Sequence, residues 1–262
     1  MAPTVTALII ARNEAANIAR CLRSVAWATE RVMIDAESTD ATVEIARGLG
    51  ATVIIHPWPG YSEQRNFGQG VAAGEWIFCI DADERATPQL RDEVLNFVAT
   101  APTEVAAATI PIRDWMFGAF VEHGSWPHQR HVRLYRRARA TWRGAVHEGL
   151  TIDGQTEALT SPLLHFSHLT LERFIAKLNA YTEIEARGLK ASGKTPSLAR
   201  ATFGALRAFL GQYVRLSGYR DGGRGFILAV LMAGYFFVTQ AKLWAAWHAS
   251  VPPDPDGQEN VP

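Results

Sequence analysis

Trp76-Ile77-Phe78-Cys79-Ile80 is an unbroken apolar run, and the chain leaves it directly into Asp81-Ala82-Asp83-Glu84. A short run of this kind reads as a strand buried on both faces, with the acidic tetrad as the loop at its carboxyl end. The same alternation recurs toward the N-terminus. Residues 5–11 read as a strand and 15–25 as a helix, 32–35 as a strand and 42–49 as a helix, 52–55 as a strand and 63–73 as a helix. Downstream, residues 88–98 are again helical. This alternation calls for an α/β architecture, a Rossmann-like, mostly parallel sheet with helices on both faces. In such open sheets ligands sit beyond the carboxyl ends of the strands, where Asn13, Glu14, Asp35, Asp40, Asp81 and Asp83 all fall. A dinucleotide fold would carry a glycine-rich turn after its first strand, but the chain there reads Ala11-Arg12-Asn13-Glu14.

Asp81 and Asp83, at i and i+2, emerge together from a strand end and can hold a divalent cation against a diphosphate. Oxygen ligands suit Mg²⁺ or Mn²⁺. An Asp-x-Asp also occurs as a loop-capping pair, so its position after the fourth strand carries the argument. Charge adds to it: Lys+Arg and Asp+Glu are equal at 26 each, yet residues 1–112 hold 8 basic and 14 acidic side chains. The acidic front suits a cation and the basic remainder an anionic partner, while the overall balance provides no field for nucleic acid. Cys21 and Cys79 show neither metal spacing nor a disulfide framework, as expected of a reducing compartment. The N-terminus lacks the charged region of a secretory signal.

Beyond residue 105 the pattern changes to short strands and loops carrying Trp115, Trp126 and Trp142, and beyond residue 166 it becomes helical. The expected domains are 1–165, with a nucleotide-binding half to about residue 112 and an acceptor half from 113, and a helical region 166–262. His165 and His168 read as the run-in to the first of these helices. A second helix, 198–216, places Arg200, Arg207 and Arg215 roughly on one face. Between the two, Gly188-Leu189-Lys190-Ala191-Ser192-Gly193-Lys194-Thr195 matches the phosphate-loop pattern letter for letter. It follows a helix instead of a strand, so it reads as a helix C-cap and a basic linker. Residues 226–241 form a nearly charge-free run that as a helix rises about 24 Å, short of the ~30 Å hydrocarbon core. Extension to Trp247 reaches that length only with Lys242 snorkelling. A spanning helix, an interfacial or re-entrant helix and a buried core helix all remain open, with residues 198–247 as the membrane-associating segment. Trp244, Trp247 and the arginines ahead of the run suit an anionic membrane surface.

The first strand with Ala11-Arg12-Asn13-Glu14, then Asp35-Ala36-Glu37-Ser38-Thr39-Asp40-Ala41-Thr42, Gln64-Arg65-Asn66-Phe67-Gly68 and Ala73-Gly74-Glu75-Trp76 leading into Asp81-Ala82-Asp83-Glu84, resemble the family 2 glycosyltransferases, which have a GT-A fold. Arg143-Gly144-Ala145-Val146-His147-Glu148 and the segment 220–244 are similar to the branch that includes lipopolysaccharide-core glucosyltransferases. The resemblance implies inverting transfer of a sugar from a nucleotide-sugar donor, a UDP-hexose, to a lipid-linked or envelope-glycan acceptor at the cytoplasmic face of the inner membrane. It implies Asp81 and Asp83 as ligands of the Mg²⁺ or Mn²⁺, with Ala82 between them in the donor site. His147 would be a third ligand or simply a satisfied polar histidine. Ala11, Asn13 and Glu14 would wall the nucleobase. Asp35 would meet the base or its ribose, or else cap the turn through Ser38. Arg65 and Asn66 would reach phosphate or ribose, or Arg65 would be solvated. Glu148 is the expected general base and Asp114 the runner-up, against an ion-pair role for Glu148 among Arg136, Arg137, Arg139 and Arg143. Two competing classes are weaker. A sugar-phosphate nucleotidylyltransferase would need a glycine-rich basic loop after the first strand, and a non-enzymatic membrane adaptor would leave the acidic strand end without a task.

Overall fold

The computed structural model describes residues 3–144, 149–168 and 170–249 of the 262-residue chain. Strand and helix alternate as β1 (Val5–Ala11), α1 (Ile18–Ser24), β2 (Glu30–Asp35), α2 (Thr42–Gly48), β3 (Thr52–Ile55), α3 (Tyr61–Val71) and β4 (Trp76–Cys79). There follow β5 (Glu84–Ala86), α4 (Pro88–Thr100), β6 (Val105–Met116), β7 (Ala119–Phe120), β8 (Arg130–Arg136), β9 (Ala140–Arg143), β10 (Gly149–Ile152), β11 (Gln155–Ala158) and β12 (Leu163–His168). The main sheet runs β3-β2-β1-β4-β8-β6-β12-β5. Its first four strands are parallel, as short crossovers through α1, α2 and α3 require. β8 is antiparallel to both β4 and β6, which makes the sheet mixed at that point.

Alternation along the strands divides the core between the two faces. Val5, Ala7, Ile9, Trp76, Phe78 and Ile80 pack with α1 and α4 on one, while Leu8, Ile34, Ile77 and Cys79 pack toward α3 on the other. α3 approaches this second face closely. A Cβ added to Gly68 would lie 2.5 Å from Leu8 Cδ1 and 2.9 Å from Ile34 Cγ1, so glycine is what lets the helix seat.

Three expectations about elements need correction. β6 is a twelve-residue strand and not one of several short ones, because it is buried at alternate positions far along its length. His165 and His168 belong to β12, paired with β6, and not to a helical run-in. The helix expected at 198–216 ends at Leu210, and Gly211–Arg215 wind as a π turn.

The chain forms two compact units. One is built from residues up to Glu122 together with those from Trp126 to Leu169, and the other from His123–Ser125 and the chain from Thr170 onward. The second contains α5 (Leu171–Ala191), α6 (Leu198–Leu210) and α7 (Gly222–His248). Thr170 and Ser197 cap α5 and α6 by accepting from the amides of Arg173 and Arg200. Both helices pack on α7. Lys242 Nζ donates to Asn179 Oδ1 at 2.8 Å on α5 and lies 3.7 Å from Glu183.

Candidate active site

Asp81 and Asp83 lie just past the end of β4. Asp81 is clamped from two sides: Arg65 of α3 donates to Oδ1 at 3.1 Å and Arg133 of β8 to Oδ2 at 2.7 Å. Burial alone would raise its pKa, but Arg133 and Arg65 outweigh that and hold the carboxyl well below the usual range. Glu84 closes the turn by accepting the Asp81 amide at 2.9 Å and pairing with Arg133. Burial pushes Glu84 up most strongly, Arg133 draws it down and the Asp81 charge pushes it up again, leaving it at about 7. Arg65 is buried, with its guanidinium 4.7 Å from the centre of the Trp142 ring; it is not a solvated arginine. Asp81, Arg65, Arg133, His131 and Trp142 share a cavity of about 280 Å³.

The exits of β1 and β2 are tied to each other. Ala11 is buried, and Asn13 holds a left-handed φ of 55°. The Asn13 amide donates to Ser38 Oγ, and its side-chain oxygen accepts the Thr39 amide, both at 2.8 Å. The Glu14 amide donates to Thr42 Oγ1, and its carboxylate accepts from Asn17 Nδ2. Asp35 is fully buried and accepts from the amide of Ser38 at 2.8 Å and from its hydroxyl at 2.5 Å. The turn-capping alternative for Asp35 is therefore the one the geometry displays.

Asn66 also departs from expectation. Its amide donates to the Trp142 carbonyl and accepts from the Trp142 amide, both at 2.9 Å, so both ends splice α3 to β9. The Trp142 ring nitrogen in turn donates to Tyr135 Oη at 3.1 Å. A second cavity, about 330 Å³, borders the same tryptophan, with Gly60, Tyr61, Asn66, Arg143 and Gly144. His147 and Glu148 lie outside the described residues; Arg143 and Gly149, on either side of them, are paired across β9 and β10.

His165, which sequence reasoning set aside, joins the two remaining candidates. Its Nδ1 lies 2.7 Å from Asp114 Oδ1 and its Nε2 3.5 Å from Asp83 Oδ2. Burial lowers its pKa, but Asp114 and Asp83 more than reverse that and lift it to about 10. Asp114 is buried, and its Oδ2 has no hydrogen-bond partner among the described residues. No local pattern announces Arg133 or His165, because each meets its partners only through strand pairing.

Among the described residues, no group of three or more His, Cys, Asp or Glu side chains is placed to enclose a metal. The strand end presents two carboxylates, Asp81 and Asp83, with 29% and 26% of their side chains exposed. Their oxygens, although Asp81 already accepts from Arg65 and Arg133, are of the kind a hard divalent cation takes beside a bound diphosphate and water.

The family model for Glycosyl transferase family 2 matches residues 6–150. The lipopolysaccharide core biosynthesis glycosyltransferase LpsC of Rhizobium meliloti is 33% identical over 247 residues, covering 91% of each chain. An uncharacterized glycosyltransferase of Rickettsia prowazekii is 30% identical over 252 residues, covering 91% of this chain and 86% of its own. The mannosyltransferase PcManGT of Pyrobaculum calidifontis, solved with GDP-Man and Mn²⁺, superposes with a TM-score of 0.53 at 14% identity, over 93% of this chain and 87% of that one, a likeness of fold alone. With its GT-A sheet and a family match across more than half its length, this chain belongs to the family 2 glycosyltransferases.

Proposed function

We infer that this glycosyltransferase moves a hexose, with inversion, from a UDP-sugar to a hydroxyl of a lipid-linked or envelope-glycan acceptor at the cytoplasmic face of the membrane. The observation that carries the reading is the Asp81/Asp83 pair at the end of β4, with Asp81 held ionised by Arg65 and Arg133 beside a cavity bordered by Trp142. The GDP-Man and Mn²⁺ of the mannosyltransferase that shares the fold support a nucleotide-sugar donor and a divalent cation. The name of LpsC supports an envelope-glycan acceptor.

Asp81 and Asp83 would hold Mg²⁺ or Mn²⁺, which when bound offsets the negative charge on the departing diphosphate. Arg65 and Arg133 keep Asp81 charged and aimed, and both line the cavity that the diphosphate would occupy. The interlocked exits of β1 and β2, with Ala11, Asn13 and Glu14 on one side and the Asp35 turn on the other, form a stiff wall for the base. Asn66 would act through Trp142, by fixing the strand on which that ring sits. Glu148 remains the proposed base for the acceptor hydroxyl, with His147 beside it as a further cation ligand. Asp114 is the weaker candidate, because one oxygen is already committed to His165.

Membrane attachment is assigned to α6 and α7. The helical stretch Gly218–His248 is 31 residues long and apolar, yet only 22% of its most apolar window is buried, unlike a core helix. The reading is tested by titrating UDP with Mn²⁺ into the wild type, Asp81→Asn and Asp83→Asn in a calorimeter. Metal-dependent binding should vanish in both variants; unchanged affinity would remove the metal assignment. Glu148→Gln should keep donor binding and lose about 10²- to 10⁴-fold in transfer.

A further inference from the structure

The phosphate-loop lettering of Gly188–Thr195 has no part in the reaction above. It connects α5 to α6 and so lacks the strand-to-helix geometry of a nucleotide loop. Its last residues nevertheless line something. Gly193, Lys194 and Thr195 border a cavity of about 650 Å³, shared with Arg200 and Arg207 of α6 and with Gln240 of α7. Arg200 and Arg207 lie seven positions apart and project from one face of their helix. Lys194, Arg200 and Arg207 thus face a single carboxylate, Glu185, which already accepts the Tyr235 hydroxyl at 2.6 Å. Gln240 also borders the cavity, and its Oε1 is buried without a hydrogen-bond partner among the described residues.

A second cavity, about 1020 Å³, shares Gly204, Arg207 and Phe236 with the first. The rest of its lining is mainly apolar, including Phe203, Leu206, Leu210 and Val214. Phe203 is 71% exposed and Val214 56%. Gly204 sits where the two meet, and a Cβ there would touch no atom within 4 Å. A free anion would satisfy the cationic half and leave the trough bare, whereas an alkyl chain alone would leave the cations unpaired. A phosphorylated amphiphile satisfies both. A phosphate monoester, with a charge of about −1.5 to −2 near neutral pH and three acceptor oxygens, complements the cationic excess better than a singly charged diester.

We propose that α5, α6 and α7 form a binding site for a membrane lipid whose headgroup carries a phosphate monoester. The phosphate sits among Lys194, Arg200 and Arg207, and an acyl chain lies along Phe203, Leu206, Leu210 and Val214. The proposal rests on the attachment of α6 and α7 to a membrane, and the test separates the two. The full chain is sedimented with phosphatidylcholine vesicles containing either phosphatidic acid or phosphatidylserine, matched in surface charge. The wild type should prefer phosphatidic acid by about tenfold, as charge-assisted phosphate contacts require. Arg207→Gln should reduce binding to phosphatidylserine by about fivefold, the nonspecific contribution of one basic residue, and binding to phosphatidic acid by clearly more, so that the preference shrinks. Gly204→Phe, whose side chain extends into open space, should abolish the preference without disturbing the fold, which thermal melting would confirm. Equal affinity for the two lipids in the wild type, or a preference that survives in both variants, overturns the proposal. So does calorimetry in which inorganic phosphate alone binds as tightly as phosphatidic acid vesicles. A chain that ignores every vesicle defeats membrane attachment and this site together; one that binds all vesicles without preference defeats this site alone.

Discussion

His165 is the residue whose environment differs most from what its neighbours in sequence would suggest. Its ring bridges Asp114 and Asp83, and its folded pKa is raised from 6.5 to about 10. A group with a raised folded pKa binds its proton more tightly in the native state. Its stabilisation is complete below pH 6.5 and is lost as pH rises through about 10. In the metal-free protein this amounts to something on the order of a few kcal/mol at neutral pH. Thermal melting should therefore show the wild type losing its advantage over His165→Gln between pH 7 and 10, and a constant gap across that range would contradict the pairing. Arg133 is the other critical residue, because it is buried and neutralises both Asp81 and Glu84. Arg133→Ala should cost about 3–5 kcal/mol in denaturant unfolding, since it leaves the buried Glu84 without its cationic partner and Asp81 with Arg65 alone.

At the scale of elements, α3 links the sheet to the site. It reaches the sheet through Gly68, carries Arg65 to Asp81 and holds β9 through Asn66. Gly68→Val should lift the helix off Leu8 and Ile34 and destabilise by about 1–3 kcal/mol, with weaker nucleotide binding because Arg65 moves with it. Asn66→Ala should behave as a structural change. It leaves the Trp142 amide without its partner at a cost of about 1–3 kcal/mol in unfolding experiments, with a smaller effect on nucleotide affinity at low temperature. An affinity loss without a stability loss would restore Asn66 as a direct ligand contact.

For the whole molecule, the balanced total charge hides an acidic front and a basic remainder, and the helical unit adds exposed apolar surface to its arginines. Leu198, Phe203, Leu206 and Leu210 on α6, and Phe237, Trp244 and Trp247 on α7, are all exposed. Vesicle sedimentation should show attachment that high salt weakens only in part, because apolar burial is not screened. Replacing Phe203 and Leu206 with serine should release the protein into the supernatant at little cost to folding, since both side chains already face outward.

The strand–helix alternation of residues 5–100, the carboxylates at the end of β4 and the apolar C-terminal run were legible from the sequence alone. Each is a local pattern, set by hydrophobic period or by the turn that ends a strand. Tertiary structure decided which charges meet. Arg133 reaches Asp81 from 52 residues away, His165 reaches Asp114 from 51, and Trp142 is held by Asn66 from 76. The first two contacts are set by the antiparallel insertion of β8 between β4 and β6 and by the register of β12 on β6, and the third by the docking of β9 on α3. Strand register is chosen by the global fit of side chains across the sheet, and a shift of one residue would turn Arg133 to the opposite face. Asn66 likewise bonds the Trp142 backbone across the fold, whereas the bonds from Ser38 to Asp35 close within a single turn and follow from the local sequence.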